Sequence, residues 1–204
     1  AIAALIVEPV PANMGVILPA PGYLTALREM TREYGGLLIF DEVITGFRVH
    51  PGGAQAHFGV TPDLTTLGKI IGGGLPIGAY GGRRDIMSLM SPQGPVYQAG
   101  TLSGNPLAVS AGIATLATIR DENVIDAVNA KAEEFHRRVA AIAAGSGVAL
   151  CTNRIGSMST LFFQKGPVRN YQEAVRSDPE QFKVFFGAML DQGIYMAPSQ
   201  YEAA

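Results

Sequence analysis

Asp41 closes an otherwise apolar run, Leu38-Ile39-Phe40-Asp41-Glu42-Val43. A carboxylate at the end of a buried strand is costly unless a cation or several donors face it. Lys69 stands between Gly68 and Ile70-Ile71-Gly72-Gly73-Gly74. Glycines on both sides let another backbone or a flat ligand come close to it. Taken singly, the acid reads equally well as a capping group and the lysine as an ordinary loop cation. Together they meet two needs of pyridoxal phosphate: an amine for a Schiff base, and an anion that keeps the pyridine nitrogen protonated so that the ring acts as an electron sink. The third need is a phosphate cup. Gly100-Thr101-Leu102-Ser103-Gly104-Asn105-Pro106 offers hydroxyls and free N–H groups just before a helix start. The same segment also reads as a plain helix start, with Ser103 or Asn105 capping and Pro106 in the first turn.

These groups need strands to hold them. Ala3-Ala4-Leu5-Ile6-Val7, closed by Glu8-Pro9, reads as a buried strand, and so does Leu37-Leu38-Ile39-Phe40. Asp63-Leu64-Thr65-Thr66-Leu67 is a third, running into Gly68-Lys69. Between the first two, Gly22 to Tyr34 has a helical pattern with Leu24, Leu27 and Met30 as its apolar stripe, stopped by Gly35-Gly36. The order strand, helix, strand, loop, strand predicts an α/β sheet with functional groups at the strand ends. Arg83 to Met90 reads as a short helix, Asn105-Pro106 to about Arg120 as a longer one, and Asp121 to Ala144 as an amphipathic helix. Strands are expected at Val148 to Cys151 and Ser159 to Phe163, and a helix over Pro179 to Leu190. The Gly145-Ser146-Gly147 turn is the expected boundary between residues 1–146 of a large domain and residues 147–204 of a smaller α+β domain.

Composition excludes several classes. With 48% hydrophobic and 16% charged residues the 204-residue chain has the makings of a packed core. One cysteine, Cys151, cannot form an internal disulfide, reads as inert packing and suits a reducing compartment. Fifteen basic against seventeen acidic residues, with no basic run, argue against nucleic acid. Pro92, Pro95 and Pro106 interrupt the longest uncharged stretch, which argues against a membrane span. His50, His57 and His136 are too scattered for a metal site. A P-loop would need glycine where Asp63 stands, and no Gly-x-Ser-x-Gly elbow is present.

Asp41-Glu42-Val43-Ile44-Thr45-Gly46-Phe47-Arg48, followed by Gly68-Lys69 and Gly72-Gly73-Gly74-Leu75-Pro76-Ile77-Gly78, resembles the signature of the class III pyridoxal-phosphate aminotransferases. The resemblance implies the fold type I of pyridoxal-phosphate transferases, with part of its large mixed-sheet domain followed by part of a smaller one. It also implies that Lys69 binds the cofactor covalently, that Asp41 pairs with the pyridinium nitrogen and that Val43 packs on the ring face. Asn13 would lie near the ring hydroxyl, and Thr101 would reach the phosphate bound by the neighbouring subunit of a homodimer with shared active sites. Glu8 matches a family position as well.

Three further segments resemble one branch of the family: Glu8-Pro9-Val10 with Asn13-Met14-Gly15, Tyr97 to Pro106, and Ala197-Pro198-Ser199-Gln200-Tyr201-Glu202. Pro11-Ala12 departs from the two small residues usual there. The branch implies intramolecular amino transfer on a small amino-aldehyde, glutamate 1-semialdehyde, to give 5-aminolevulinate for tetrapyrrole synthesis in the cytoplasm. The cofactor would pass through its pyridoxamine 5'-phosphate form, with Glu202 facing the substrate. A class III transaminase acting on another amine and keto acid is the alternative enzyme, and an inactive dimerisation module the alternative of another kind. Family members are roughly twice as long, so the chain reads as a fragment that alone would bind cofactor poorly.

Overall fold

The computed structural model describes residues 2–204. The chain groups into two compact units: Ala20–Val124 with the segment up to Pro9, and Val10–Pro19 with Ile125–Ala204.

In the first unit β1 (Ala4–Val7), α1 (Tyr23–Glu33), β2 (Leu37–Asp41), α2 (Gly53–Phe58) and β3 (Leu64–Leu67) are followed by β4 (Ala79–Gly82), α3 (Arg84–Met87) and α4 (Pro106–Asp121). The sheet has the order β1-β2-β3-β4, parallel over the first three strands and antiparallel at β4. Leu38 and Phe40, on one face of β2, pack with Leu24 and Leu27 of α1 and with Val60. The inner stripe of α1 is Leu24, Leu27, Arg28 and Thr31, while Met30, expected inside, is exposed. Spacing of three and four residues from Leu24 leads to Arg28 and Thr31, and Arg28 is drawn in by Asp63, 2.7 Å away. Neither α2 nor β4 is legible from periodicity. Ala79-Tyr80-Gly81-Gly82 has no alternating pattern and is a strand by virtue of its pairing with β3.

Asp63 ties the start of this sheet together. Its Oδ2 accepts from the Leu38 N–H at 2.8 Å and from Arg28, and its Oδ1 accepts from Arg83 at 2.8 Å. Burial alone would raise its pKa, but the hydrogen bonds from Arg83, the Leu38 N–H and Arg28 outweigh that and hold it below the usual carboxylate value.

The second unit contains α5 (Val124–Ser146, which begins at the last residue of the first unit), the antiparallel hairpin β5 (Cys151–Ile155) and β6 (Met158–Phe162), then α6 (Tyr171–Ala174) and α7 (Pro179–Asp191). Its buried cluster joins Ile17, Phe162, Val168 and Ala174. The first strand of the pair lies later than the expected Val148 to Cys151. Polar side chains are the reason: the Asn153 amide donates to the Val16 and Val168 carbonyls at 2.8 and 2.6 Å, and Thr160 Oγ1 accepts from the Val16 N–H at 3.0 Å. Residues that look like loop formers thus hold the Val10–Pro19 segment against the hairpin. Among the described residues no helix is long and apolar enough to cross a membrane.

Candidate active site

Asp41 is the last residue of β2, half-buried, in register with Thr66 of β3. Its Oδ1 accepts from the Val43 N–H at 3.1 Å and from the Thr66 hydroxyl at 3.2 Å. Thr66 escapes sequence reasoning because its partnership depends on strand pairing.

Lys69 follows β3 after one glycine and opens a 3-10 turn, Lys69–Gly72. Its φ is 47°, in the left-handed region that a residue with a side chain enters at a cost of about 1–3 kcal/mol. The side chain is exposed. A Cβ added at Gly68 would stand 3.2 Å from Val43 Cγ1, so Val43 lies beside the backbone that leads into Lys69.

Glu8 directly follows β1. Val7, the last residue of β1, is opposite Phe40, so the chain passes from that pair to Glu8 on one side and Asp41 on the other. Burial pushes the Glu8 carboxyl up from its ordinary pKa, the Asp41 charge adds to the rise and the Lys69 ammonium opposes it. Two acids and an amine therefore meet at the carboxyl ends of three adjacent strands, where open α/β sheets hold ligands.

Glu42 is the neighbour that sequence reasoning passed over. It is fully buried and accepts from the Thr45 hydroxyl at 3.0 Å, from the Ala54 N–H, and from the Gln55 N–H and side-chain amide at 3.2 and 3.1 Å. One carboxylate thereby gathers the loop that follows Asp41. The available signal was a second acid in an apolar run.

Glycine lets α4 come close to the lysine turn. A Cβ at Gly112 would fall inside the Ile71 carbonyl, and one at Gly73 would meet Thr115 and the Ala111 carbonyl. The predicted close approach at these glycines is thus made by a helix backbone. Gly112→Ala gains about 1 kcal/mol of helix propensity, but overlap with a fixed carbonyl costs about 1–3 kcal/mol. Net destabilisation is expected, seen as a lower midpoint in chemical denaturation.

Thr101 is exposed on the turn before α4. Asn105 caps that helix, accepting from the Ala108 N–H at 2.9 Å and donating to the Leu102 carbonyl at 3.0 Å, with Pro106 in the first turn. Of the two expected caps, Asn105 serves.

In the second unit two distant segments run side by side. The Gly15 N–H donates to the Tyr201 carbonyl at 2.7 Å, and the Ala203 N–H to the Ala12 carbonyl at 2.9 Å. Asn13 and Glu202 are therefore brought onto adjacent backbones, both exposed. Gly15 has φ 83°, and a Cβ there would collide with the ring of the buried Phe162.

The family model for aminotransferase class-III matches residues 1–202. The chain belongs to the class-III aminotransferase family. Curated relatives include the glutamate-1-semialdehyde 2,1-aminomutases of Pelotomaculum thermopropionicum, 58% identical over 203 residues, and of Desulforudis audaxviator, 56% identical over 202. These matches cover 100% and 99% of this chain and 47% of each relative. The chain spans about half the length of the curated relatives it matches. Among solved structures, a β-phenylalanine aminotransferase from Variovorax paradoxus superposes with a TM-score of 0.90 at 36% identity, covering 99% of this chain and 46% of that one. A glutamate-1-semialdehyde aminomutase from Pseudomonas aeruginosa, solved in complex with PMP, gives 0.85 at 28% identity, covering 98% and 46%. The α/β class and the mixed sheet expected from the sequence agree with these class-III folds.

Proposed function

We propose that this chain is part of a pyridoxal-phosphate-dependent aminomutase that converts glutamate 1-semialdehyde to 5-aminolevulinate by moving an amino group within one molecule. The observation that carries the reading is the pairing of a strand-end acid with a glycine-flanked lysine, in a chain more than half identical along its whole length to relatives bearing that name.

The residues present fit the cofactor. Both hydrogen bonds to Asp41 fall on Oδ1, so Oδ2 is the oxygen offered to the pyridinium nitrogen. Val43 supplies an apolar surface for one ring face. Lys69 stands in a left-handed turn braced by α4, and its exposed amine is free to bind the aldehyde carbon of the cofactor. Asn13 is assigned to the ring hydroxyl and Thr101 to the phosphate held by a second subunit, in a cytoplasmic homodimer.

When bound, the cofactor supplies an electron sink for the pair left behind as a substrate proton departs. Lys69 Nζ would carry the protons that the two transfers of the amino group require. Asp41 would hold the positive charge on the ring nitrogen, and Glu202, on the backbone alongside Asn13, would face the substrate. The division of the subunit into a large domain through residue 146 and a small one beyond it belongs to the same proposal. There the end of α5 at Ser146 marks the end of the large domain in a subunit of the relatives' length, which is a different division from the compact units of this chain.

Borohydride treatment of the holoenzyme followed by peptide mass spectrometry is expected to fix a pyridoxyl group on Lys69. The same preparation should form 5-aminolevulinate with no added amino donor. An unlabelled Lys69 would end the cofactor reading, and activity only with a donor would transfer the chain to the transaminases.

A further inference from the structure

We propose that Glu8 is a positioning residue that sets the charge Asp41 presents to the pyridine nitrogen of the cofactor. The inference rests on the reading above, in which pyridoxal phosphate docks at Asp41 and Lys69.

The geometry comes from the sheet. Parallel strands lie about 4.8 Å apart, and residues opposite each other project from the same face. Val7 is the last paired residue of β1 and lies opposite Phe40, so Glu8 and Asp41 are the residues that follow this pair at the two strand ends. Two carboxylates so placed are costly to ionise together, and one of them keeps its proton to higher pH. Asp41 has two donors to its Oδ1, the Val43 N–H and the Thr66 hydroxyl. Glu8 is half-buried, and burial disfavours its own anion.

Burial and the neighbouring Asp41 charge therefore both favour the protonated form of Glu8. A neutral Glu8 leaves one anion facing the ring nitrogen. An ionised Glu8 adds a second negative charge beside it and strengthens the hold on the pyridinium proton. The charged groups acting on Glu8 are Asp41 of β2 and Lys69 of the turn after β3. Lys69 is the counterweight: consuming its ammonium in cofactor attachment removes the positive charge that favours Glu8 ionisation. Cofactor binding and Glu8 protonation are thereby coupled.

Glu8→Gln removes the titration and keeps the shape. Without cofactor, a carboxyl whose folded pKa is raised contributes stability that is present below its ordinary value near 4.5 and is lost as pH rises through the folded value. Glutamine has no such loss. The melting temperature of Glu8→Gln relative to the unaltered protein should therefore climb as pH rises from the ordinary value near 4.5 through the folded one. With cofactor, the unaltered holoenzyme should show a pH-dependent step in its cofactor absorbance that Glu8→Gln lacks and that Glu8→Asp keeps at a shifted pH. A melting difference flat with pH, or an absorbance step unchanged in Glu8→Gln, overturns the proposal. If Glu8→Gln does not fold, Glu8→Asp still decides, because a step that does not move with the shortened side chain is not due to Glu8. Failure here with Lys69 labelled by borohydride removes only the role of Glu8, whereas an unlabelled Lys69 removes the cofactor reading and this inference with it.

Discussion

Lys69→Ala is expected to reduce turnover of the holoenzyme by about 10⁴-fold or more, because in the function proposed above one side chain both attaches the cofactor and moves the protons. The surrounding structure should survive. Lys69 is exposed, the Asp41 hydrogen bonds run to Val43 and Thr66, and the turn is braced through Gly73 and Gly112 rather than through the lysine side chain. Removing the long side chain from a left-handed residue leaves the backbone cost in place, since alanine also carries a Cβ. Steady-state assay with circular dichroism as the folding control checks this, and turnover within tenfold of the unaltered enzyme would remove Lys69 from the mechanism. No borohydride label should appear on the variant.

The largest expected effect on stability comes from the other end of the same strands. Asp63→Asn should cost about 3–5 kcal/mol at neutral pH, since it leaves Arg28 buried without its counter-ion and weakens the acceptor for the Leu38 N–H. Side chains only 9% and 6% exposed in that pair make the loss large. The contact with Arg83, which is half exposed, adds little. The sign of the pH dependence follows from the lowered pKa of Asp63. Its contribution is present above the ordinary value near 3.8 and is lost as pH falls through the folded value. The gap between unaltered protein and variant should therefore be widest near neutrality and narrow on acidification below about pH 4, as measured by urea unfolding at a series of pH values. A gap independent of pH would show that the Asp63 charge is not the stabilising feature.

These two sites also separate what each kind of reasoning can reach. Asp41 and Lys69 were legible because each breaks a local expectation, an acid in an apolar run and a lysine among glycines. Asn105 stood out through the Pro106 that follows it, whereas Glu8 entered only through the family resemblance. Thr66 was illegible. Its hydroxyl matters because β2 and β3 are aligned with Asp41 opposite it, and pairing between distant strands has no local signature. Asp63 offered a warning only as the wrong residue for a phosphate loop, although its partners Arg28 and Arg83 were equally visible. Asn153 misled: an amide reads as a loop former until the carbonyls of Val16 and Val168 are there to receive it.

The sequence by itself determined the chemistry on offer and most of the helices, since side-chain type and helical period are local properties. It also carried the family, because the motif from Asp41 to Arg48 and the glycines around Lys69 are contiguous. Tertiary structure decided which of those groups act together. Strand pairing brought the end of β1, and Glu8 after it, alongside β2 and set Thr66 opposite Asp41, and backbone pairing laid Asn13 along Glu202. Packing made β4 a strand and turned Met30 outward. Each of these outcomes depends on residues far apart in the chain whose closeness is created by burial and hydrogen bonding, and a local pattern does not encode a partner that only folding brings near.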